Sequence, residues 1–208
     1  MRIGIDFDNT VVCYDRLFHD LACECNLVSP SLPRTKQAVR NYLRSNGQED
    51  IWIELQGIAY GPRMKDATAF IGALDGIREL LNKGFRLAII SHKTKYPYAG
   101  SGYDLHAAAE AWLNSNGFQS GGLLEKVEIY FETTKASKLD RIGNFSCNYF
   151  IDDLPEFLGD PRFPSKVGKI LFDPNRANKR SSGYQVMTDW RQASSLIRSR
   201  NLVNANDI

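Results

Sequence analysis

An apolar run at the start of the chain stops abruptly at two aspartates, and this junction constrains the fold more than any other segment. Residues 1–5 have the composition of a short buried strand, and Asp6-Phe7-Asp8-Asn9-Thr10 follows directly. Asp and Asn are depleted in strands and favour turns and helix caps, so the strand is predicted to end here. The two aspartates then lie at the carboxyl end of a strand, where open α/β sheets place their ligands.

The spacing of the two aspartates predicts a shared site. Positions i and i+2 of a strand share a face, so Asp6 and Asp8 can point into one site. Two carboxylates held this close repel each other, and a divalent cation such as Mg²⁺, which prefers oxygen ligands, relieves the repulsion. A second interpretation is an acidic turn in which Asp8 or Thr10 only caps the next helix. What lies at the later strand ends decides between the two.

Three later apolar runs also end in polar residues. The runs and the residues that follow them are 85–90 before Ser91, 127–131 before Lys135 and Lys138, and 148–151 before Asp152-Asp153. A hydroxyl and an ammonium suit a phosphoryl group, and a second acidic pair suits the metal ion that bridges it. Each signal alone is weak, but the four in this order predict a phosphate site assisted by a metal ion.

These four motifs resemble, in order, those of the haloacid dehalogenase (HAD) superfamily, and the resemblance covers nearly the whole chain. It implies an α/β fold with a doubly wound, Rossmann-like, mostly parallel sheet and helices on both faces. It also implies Mg²⁺-dependent phosphoryl transfer through an aspartyl-phosphate. Members that cleave carbon–halogen bonds lack the second Asp of the first motif, so the presence of Asp8 favours the phosphatase branch.

The resemblance implies a role for each motif residue. Asp6 is similar to the nucleophile, Asp8 to the general acid/base, and Thr10 to the closing threonine that supports the loop. Ser91 matches the phosphate-binding hydroxyl. Asp152-Asp153 matches the acidic pair that, together with Asp6 and Asp8, binds the metal ion. A general acid must carry a proton before the leaving oxygen can take it. We therefore expect a raised pKa at Asp8, to which the charge of Asp6 would contribute.

Two assignments stay open. Ser137 could cap a helix that begins near Lys138, which would leave Lys135 in the loop just before it. The family's phosphate-binding lysine usually lies there, so Lys135 is favoured, although Lys138 in the first turn could reach the same place. In the fourth motif many relatives have Gly-Asp, which aligns Asp153 with their metal-binding Asp. Asp152 would then adjust the metal from close by or share its coordination.

The composition excludes several partners and locations. The formal charge of +2 on 208 residues is too small to indicate nucleic acid or an acidic membrane as a partner. The four cysteines lack zinc-site spacing, so free thiols in a reducing cytosol are expected. No signal peptide precedes the first strand, and no apolar run approaches the roughly 18 residues that span a bilayer. We expect a cytoplasmic protein, and the oligomeric state is not predicted.

The distance between the first two motifs predicts an insertion. Residues 72–81 have the pattern of the helix that leads into the second core strand, so residues 14–70 are left over. The core is then formed by 1–13 and 71–208. The insertion resembles the small helical cap found at this point in many HAD phosphatases. A helical hairpin that only shields the core is the alternative.

Two segments outside the motifs could contact a substrate. Arg63, near the return to the core, could pair with a second phosphate or a carboxylate, or be an ordinary surface arginine. Residues 92–102 are long for a strand-to-helix loop and contain two lysines together with Tyr96 and Tyr98. Beside the predicted phosphate site, these residues either favour an anionic ligand with a ring, or belong to a mobile solvated loop whose tyrosines pack on the core.

The sequence therefore predicts a Mg²⁺-dependent phosphomonoester hydrolase. Its expected substrate is a small phosphorylated metabolite, either a sugar phosphate or a nucleotide monophosphate. One alternative keeps the fold but passes the phosphoryl group to a hydroxyl other than water. The other is a non-catalytic member that uses its phosphate site only for binding. The presence of both Asp6 and Asp8 argues against it, because a site that only binds phosphate does not need both.

Overall fold

Six parallel strands form the central sheet of the chain, which a computed structural model describes over residues 1–178 and 181–198. The order across the sheet is β5-β4-β1-β6-β7-β8, and a separate antiparallel pair is formed by β2 and β3. The strands are β1 (Arg2–Ile5), β2 (Val12–Cys13), β3 (Thr68–Ala69), β4 (Arg86–His92), β5 (Glu128–Glu132), β6 (Tyr149–Asp152), β7 (Gly168–Phe172) and β8 (Gln185–Met187).

Helices cover both faces of the sheet, as the sequence predicts. The helices are α1 (Asp15–Glu24), α2 (Lys36–Ser45), α3 (Glu49–Tyr60), α4 (Ala73–Asn82), α5 (Leu105–Leu113), α6 (Lys135–Asn144), α7 (Pro155–Leu158) and α8 (Ala193–Arg198). Successive residues of β4 pack on opposite sides: Ile89 joins the apolar cluster that contains α4 and α5, and Ile90 joins the one that contains α6 and α7. Since both faces of this strand are buried, it has a continuous apolar sequence. The doubly wound α/β prediction is confirmed.

The strand order puts β1 at the centre of the sheet. The chain runs from β1 outward to β4 and β5, and then returns to the other side of β1 with β6. Ile5, the last residue of β1, is paired with Ile89 of β4 and with Ile151 of β6. A reversal of this kind opens a crevice at the carboxyl ends of the strands, and Asp6 is the first residue beyond β1 at that point.

Gly4 allows the two central strands to carry a large side chain between them. A Cβ atom at this position would lie 2.5 Å from the ring of Phe150, so only glycine leaves room for that ring. Phe150 is fully buried, and its ring centre lies 5.3 Å from the Nζ atom of Lys138. The packing of β1 on β6 therefore also places an aromatic ring beside Lys138.

Helices α1, α2 and α3 pack against one another outside the sheet. The chain leaves the core through β2 and returns through β3, where Val12 pairs with Ala69 and Cys13 with Thr68. The apolar periodicity predicted helices in this region, and helices are found. The boundaries of 14–70 as a separate cap, and its role, stay a prediction.

One helix begins earlier than the sequence indicates. The N-cap of α6 is Thr134, whose Oγ1 accepts a hydrogen bond from the backbone N–H of Ser137 at 3.0 Å. The prediction that Ser137 caps a helix beginning near Lys138 is therefore wrong. Thr and Ser are both good caps, and the extended backbone of Thr134 directly after β5 favours the earlier one. As a result Lys138 lies a full turn inside α6, on its buried side.

Two smaller expectations concern disulfides and the membrane. The four cysteines are free in the structure. Within residues 1–178 and 181–198, no helix combines the length and the apolar character needed to cross a bilayer.

Candidate active site

Asp6, Lys138 and Asp152 form a buried ion-pair network at the carboxyl ends of β1 and β6. Lys138 Nζ donates to Asp6 Oδ1 at 2.6 Å and to Asp152 Oδ2 at 2.7 Å. The three residues are at most 5% exposed. Burial lowers the pKa of Lys138, but the two carboxylates outweigh it and hold that pKa above its ordinary value, so the ammonium is charged.

The structure brings Lys138, and not Lys135, to the carboxylates. Lys138 extends past the rings of Phe150 and Phe157, and its Nζ lies 4.2 Å from the centre of the Phe157 ring. Lys135 is the first residue of α6 and is exposed. The preference for Lys135 rested on the later helix start, and it loses its basis when the helix begins at Lys135 itself. Phosphate binding by Lys138 stays a prediction.

Asp153 completes a group of three carboxylates with Asp6 and Asp152. One oxygen from each lies within 4.8 Å of the others. Both carboxylate oxygens of Asp152 already have donors: Oδ2 accepts from Lys138 Nζ, and Oδ1 accepts from the backbone N–H of Leu154 at 2.9 Å. Within the part of the chain that the structure describes, the carboxylate of Asp153 has no hydrogen-bond donor. Three hard oxygen donors at this spacing fit Mg²⁺, with Asp6 and Asp153 the freer ligands.

Lys138 alone does not balance the three carboxylates of the acidic group. Burial and the charge of Asp152 raise the pKa of Asp6 to about 7, although Lys138 lowers it. Burial and the charges of Asp6 and Asp152 raise the pKa of Asp153 well above its ordinary value. Proton uptake and binding of a divalent cation are the two ways to relieve this repulsion, so the two compete.

This competition predicts a pH-dependent effect of Mg²⁺ on stability. A carboxyl whose pKa is raised by folding stabilises the folded state at acid pH, and that contribution disappears as the pH rises through the folded-state pKa, here about 7 for Asp6. In EDTA, the loss of protons from Asp6 and Asp153 should make the Tm lower at about pH 8 than at about pH 5. Added MgCl₂ should raise the Tm more at the higher pH. In Asp153→Asn the pH dependence of the MgCl₂ effect should flatten; an equal gain at both pH values in the unaltered protein would contradict the prediction.

Asp8 lies apart from this group and is paired with a lysine of its own. Lys93 Nζ lies 3.0 and 2.8 Å from the two carboxylate oxygens of Asp8, and the hydroxyl of Tyr14 donates to Oδ1 at 2.5 Å. Burial raises the pKa of Asp8, but the charge and hydrogen bonds of Lys93 and the hydrogen bond from Tyr14 outweigh it. The net shift is downward. The expectation of a raised pKa at Asp8 is therefore wrong for this arrangement, because it considered Asp6 and overlooked Lys93.

The sequence interpretation included Lys93 only as one of the two lysines of the 92–102 loop and did not place it at Asp8, although there was a signal for that position. Its backbone N–H donates to the carbonyl of Glu132 at 2.8 Å, which continues the pairing of β4 with β5 for one residue beyond β4. Lys93 thus follows Ser91 at the i, i+2 spacing that relates Asp6 to Asp8. The side chain of Lys93 is 3% exposed, which is unusual for a lysine outside a site.

Ser91 and Thr10 are both buried beside the strand ends. Ser91 lies within β4, one residue before its end, in register with Phe131 of β5. Thr10 belongs to the turn after Asp8: its N–H donates to the Phe7 carbonyl at 3.4 Å, and its own carbonyl accepts from Trp190 Nε1 at 3.0 Å. The backbone of Thr10 thus connects this turn to Trp190, which is 180 residues away in the sequence. The phosphate-binding role of Ser91 stays a prediction.

The two segments outside the motifs differ from each other. Arg63 is held by two carboxylates, Glu24 at 2.7 Å and Asp66 at 2.5 Å, so its charge is already neutralised. Tyr96 and Tyr98 of the 92–102 loop are 54% and 83% exposed. The loop is solvated, but the expectation that its tyrosines pack on the core is wrong, and Arg63 is a surface ion pair.

A cavity of about 400 Å³ lies between the acidic group and the insertion. Its walls include Asn9 and Asp153 from the strand ends, Tyr14 at the start of α1, and Lys36 and Arg40 from α2. The cavity is large enough for a small metabolite, and it is continuous with one member of the carboxylate group.

Solved structures similar to this chain share one fold. No protein-family model matches the chain, and no curated protein is similar to it at a significant level. An archaeal β-phosphoglucomutase from Pyrococcus sp. strain ST 04 superimposes with a TM-score of 0.56 at 12% identity, over 99% of each chain. A protein from Haemophilus somnus 129PT, described as a predicted phosphoglycolate phosphatase, gives 0.56 at 11% identity, over 94% of this chain and 97% of that chain.

A third structure is of a HAD-hydrolase from Bacillus subtilis bound to magnesium. Its TM-score is 0.51 at 12% identity, over 95% of this chain and 98% of that chain. At sequence identities this low, the similarity shows the fold of this chain and does not show its activity. The likeness therefore shows that this chain has the HAD-like fold.

Proposed function

We propose that the chain is a Mg²⁺-dependent phosphomonoester hydrolase. It acts through an aspartyl-phosphate intermediate on a small phosphorylated metabolite, a sugar phosphate or a nucleotide monophosphate. The observation that carries the proposal is the buried group of Asp6, Asp152, Asp153 and Lys138 at the carboxyl ends of β1 and β6. The phosphatase and phosphomutase among the structures of this fold support phosphoryl chemistry at such a group.

Asp6 is the proposed nucleophile. Its Oδ1 binds Lys138, so Oδ2 is free to attack phosphorus while the ester oxygen departs. Lys138 and the Ser91 hydroxyl hold the phosphoryl oxygens, and water later breaks the acyl phosphate to release phosphate and restore Asp6. When bound, Mg²⁺ would neutralise the phosphoryl oxygens and so reduce their repulsion of an incoming carboxylate.

Asp8 is the proposed general acid/base, and its pairing with Lys93 sets a condition on that role. A carboxylate with a lowered pKa is a poor acid, so Asp8 must lose part of this stabilisation before it takes up a proton. A phosphoryl group beside Lys93 would compete with Asp8 for the ammonium. The pKa of Asp8 would then rise when substrate is bound, and fall again after phosphate leaves.

The insertion is the proposed cap. Helix α2 and Tyr14 form one side of the 400 Å³ cavity, and the strand ends form the other. A cavity of this volume, lined on two sides, admits a metabolite more readily than a folded phosphoprotein. We therefore assign residues 14–70 to substrate selection and residues 1–13 and 71–208 to the chemistry.

Hydrolysis of para-nitrophenyl phosphate with MgCl₂ and with EDTA tests the proposal. Turnover that depends on MgCl₂ and releases inorganic phosphate is the expected result. If phosphate release is slow in water but the phosphoryl group appears on an added alcohol or sugar, the chain is a phosphotransferase. Binding of phosphate esters with no turnover under either condition would identify a non-catalytic member and reject the proposal. A panel of phosphorylated metabolites then ranks substrates, and equal rates across it would contradict a selective cap.

A further inference from the structure

Two cations of α2 face the cavity without a carboxylate partner. Lys36 and Arg40 are four residues apart in α2, so they lie on the same face of the helix, and both line the cavity. Among residues 1–178 and 181–198, no Asp or Glu oxygen lies within ion-pair distance of either side chain. Arg63 and Arg44, in contrast, each bind a carboxylate.

The Lys36 ammonium lies close to the strand ends. Its Nζ is 3.3 Å from Asn9 Oδ1, and 5.4 Å from the centre of the Tyr60 ring. Burial lowers the pKa of Lys36, but Tyr60 and the carboxylates of Asp8 and Asp153 raise it above the ordinary value overall. The group is therefore a charged donor within the field of the proposed catalytic residues.

Arg40 carries a buried polar atom that is not satisfied. Its Nε is shielded from solvent and has no hydrogen-bond partner in the described part of the chain. A buried donor without an acceptor costs about 1–3 kcal/mol, so the surrounding protein does not satisfy this guanidinium by itself. A planar guanidinium is well suited to carboxylate and phosphate oxygens.

Four acidic residues also line the cavity: Asp15, Asp153, Glu156 and Asp173. Asp15 Oδ1 accepts from the backbone N–H of Lys36 at 2.9 Å, and the two oxygens of Asp173 accept from backbone N–H groups, each at 2.9 Å. Asp153 belongs to the acidic group at the strand ends. None of the four carboxylates is within ion-pair distance of the two α2 cations in the described part of the chain.

We infer that Lys36 and Arg40 form a subsite for a second anionic group of the substrate. The substrate would carry, besides the phosphoryl group that reacts at Asp6, a carboxylate or a further phosphate. This inference rests on the proposed function and narrows its substrate class: a phosphorylated acid or a bisphosphorylated sugar is favoured over a neutral sugar monophosphate.

Non-hydrolysable phosphonates test the subsite without requiring turnover. The probes are ethylphosphonate, with no second anion, 3-phosphonopropionate, with a carboxylate, and propane-1,3-bisphosphonate, with a second phosphonate. Titration calorimetry in MgCl₂ measures the affinity of each probe. At least one of the two probes with a second anionic group should bind about 10-fold to 100-fold more tightly than ethylphosphonate, as expected for one or two charge-assisted hydrogen bonds. The better of the two identifies the anion.

Variants of α2 assign the difference to the two residues. Lys36→Gln and Arg40→Gln should each remove most of the preference for the second anion. Arg44→Gln is the matched control, because Arg44 is on the same helix and pairs with the exposed Glu49 at 2.6 Å. Thermal melts check that each variant is folded, and Arg40→Lys, which keeps the charge, should retain part of the preference.

The outcomes separate the inference from the proposed function. Equal affinity for the three probes in the unaltered protein, or an equal loss in Arg44→Gln, would overturn the subsite even if para-nitrophenyl phosphate is hydrolysed. A preference that disappears in Lys36→Gln and Arg40→Gln would support the subsite even in a protein that hydrolyses nothing. In that second case the phosphatase proposal fails and the anion subsite remains.

Discussion

Replacing Asp6 with asparagine lowers kcat for para-nitrophenyl phosphate by about 10⁴-fold or more, if Asp6 forms the covalent intermediate. Asparagine has nearly the same shape, but its amide cannot attack phosphorus and release phosphate in a second step. Steady-state kinetics in MgCl₂ measures the loss, and mass spectrometry of the unaltered protein quenched during turnover should show one added phosphoryl group.

Asp140→Asn is the control for this experiment. Asp140 lies in α6, two residues beyond Lys138, and is exposed. Its replacement should leave kcat within about 2-fold of the original value, as expected for a surface change. Asp6→Asn with unchanged hydrolysis would end the covalent mechanism, and so would a phosphoryl group found on another residue.

Replacing Lys138 with methionine destabilises the protein by about 3–5 kcal/mol, the second large effect we expect. Methionine keeps most of the apolar stem against Phe150 and Phe157 but removes the charge that pairs Asp6 with Asp152. Two buried carboxylates are then left without their ammonium. Urea unfolding with EDTA at about pH 8 measures the loss, which should shrink at about pH 5 as the carboxyls take up protons.

Lys135→Met is the matched control, since the two lysines are one helical turn apart and only Lys138 is buried. Lys135→Met should change the free energy of unfolding by no more than about 0.5 kcal/mol. Similar losses in the two variants would contradict the ion-pair network, and a larger loss in Lys135→Met would restore the assignment that the sequence favoured.

The sequence predicted the architecture well because that architecture depends on patterns that short windows contain. The apolar runs before Asp6, Ser91 and Asp152 identify strands whose two faces are both buried, and the structure pairs these strands in one sheet. Where the chain must pass from strand to helix, a polar residue is needed, so the strand ends could be located without knowing what the strands pair with.

The sequence could not choose between side chains that depend on where a helix starts. Thr134 and Ser137 are both suitable caps, and a shift of three residues moves Lys138 from the first turn to the buried side of α6. The contact of Lys93 with Asp8 depends on an extra residue of pairing beyond β4, and that of Tyr14 with Asp8 on the path of the chain into α1. The contact of Lys93 with Asp8 joins segments 85 residues apart, and the contact of Tyr14 depends on a turn whose path the residue types alone do not determine.

The two crossings between the sheet and the insertion are hydrogen-bonded to each other, and this limits how the insertion can move. Val12 bridges to Asp8 and pairs with Ala69, so the outgoing and returning chains are joined beside Asp8. Tyr14 lies directly after this junction and donates to Asp8. Any rotation that swings α1 outward would withdraw a proton donor from Asp8, so access to the cavity and the acidity of Asp8 are mechanically linked.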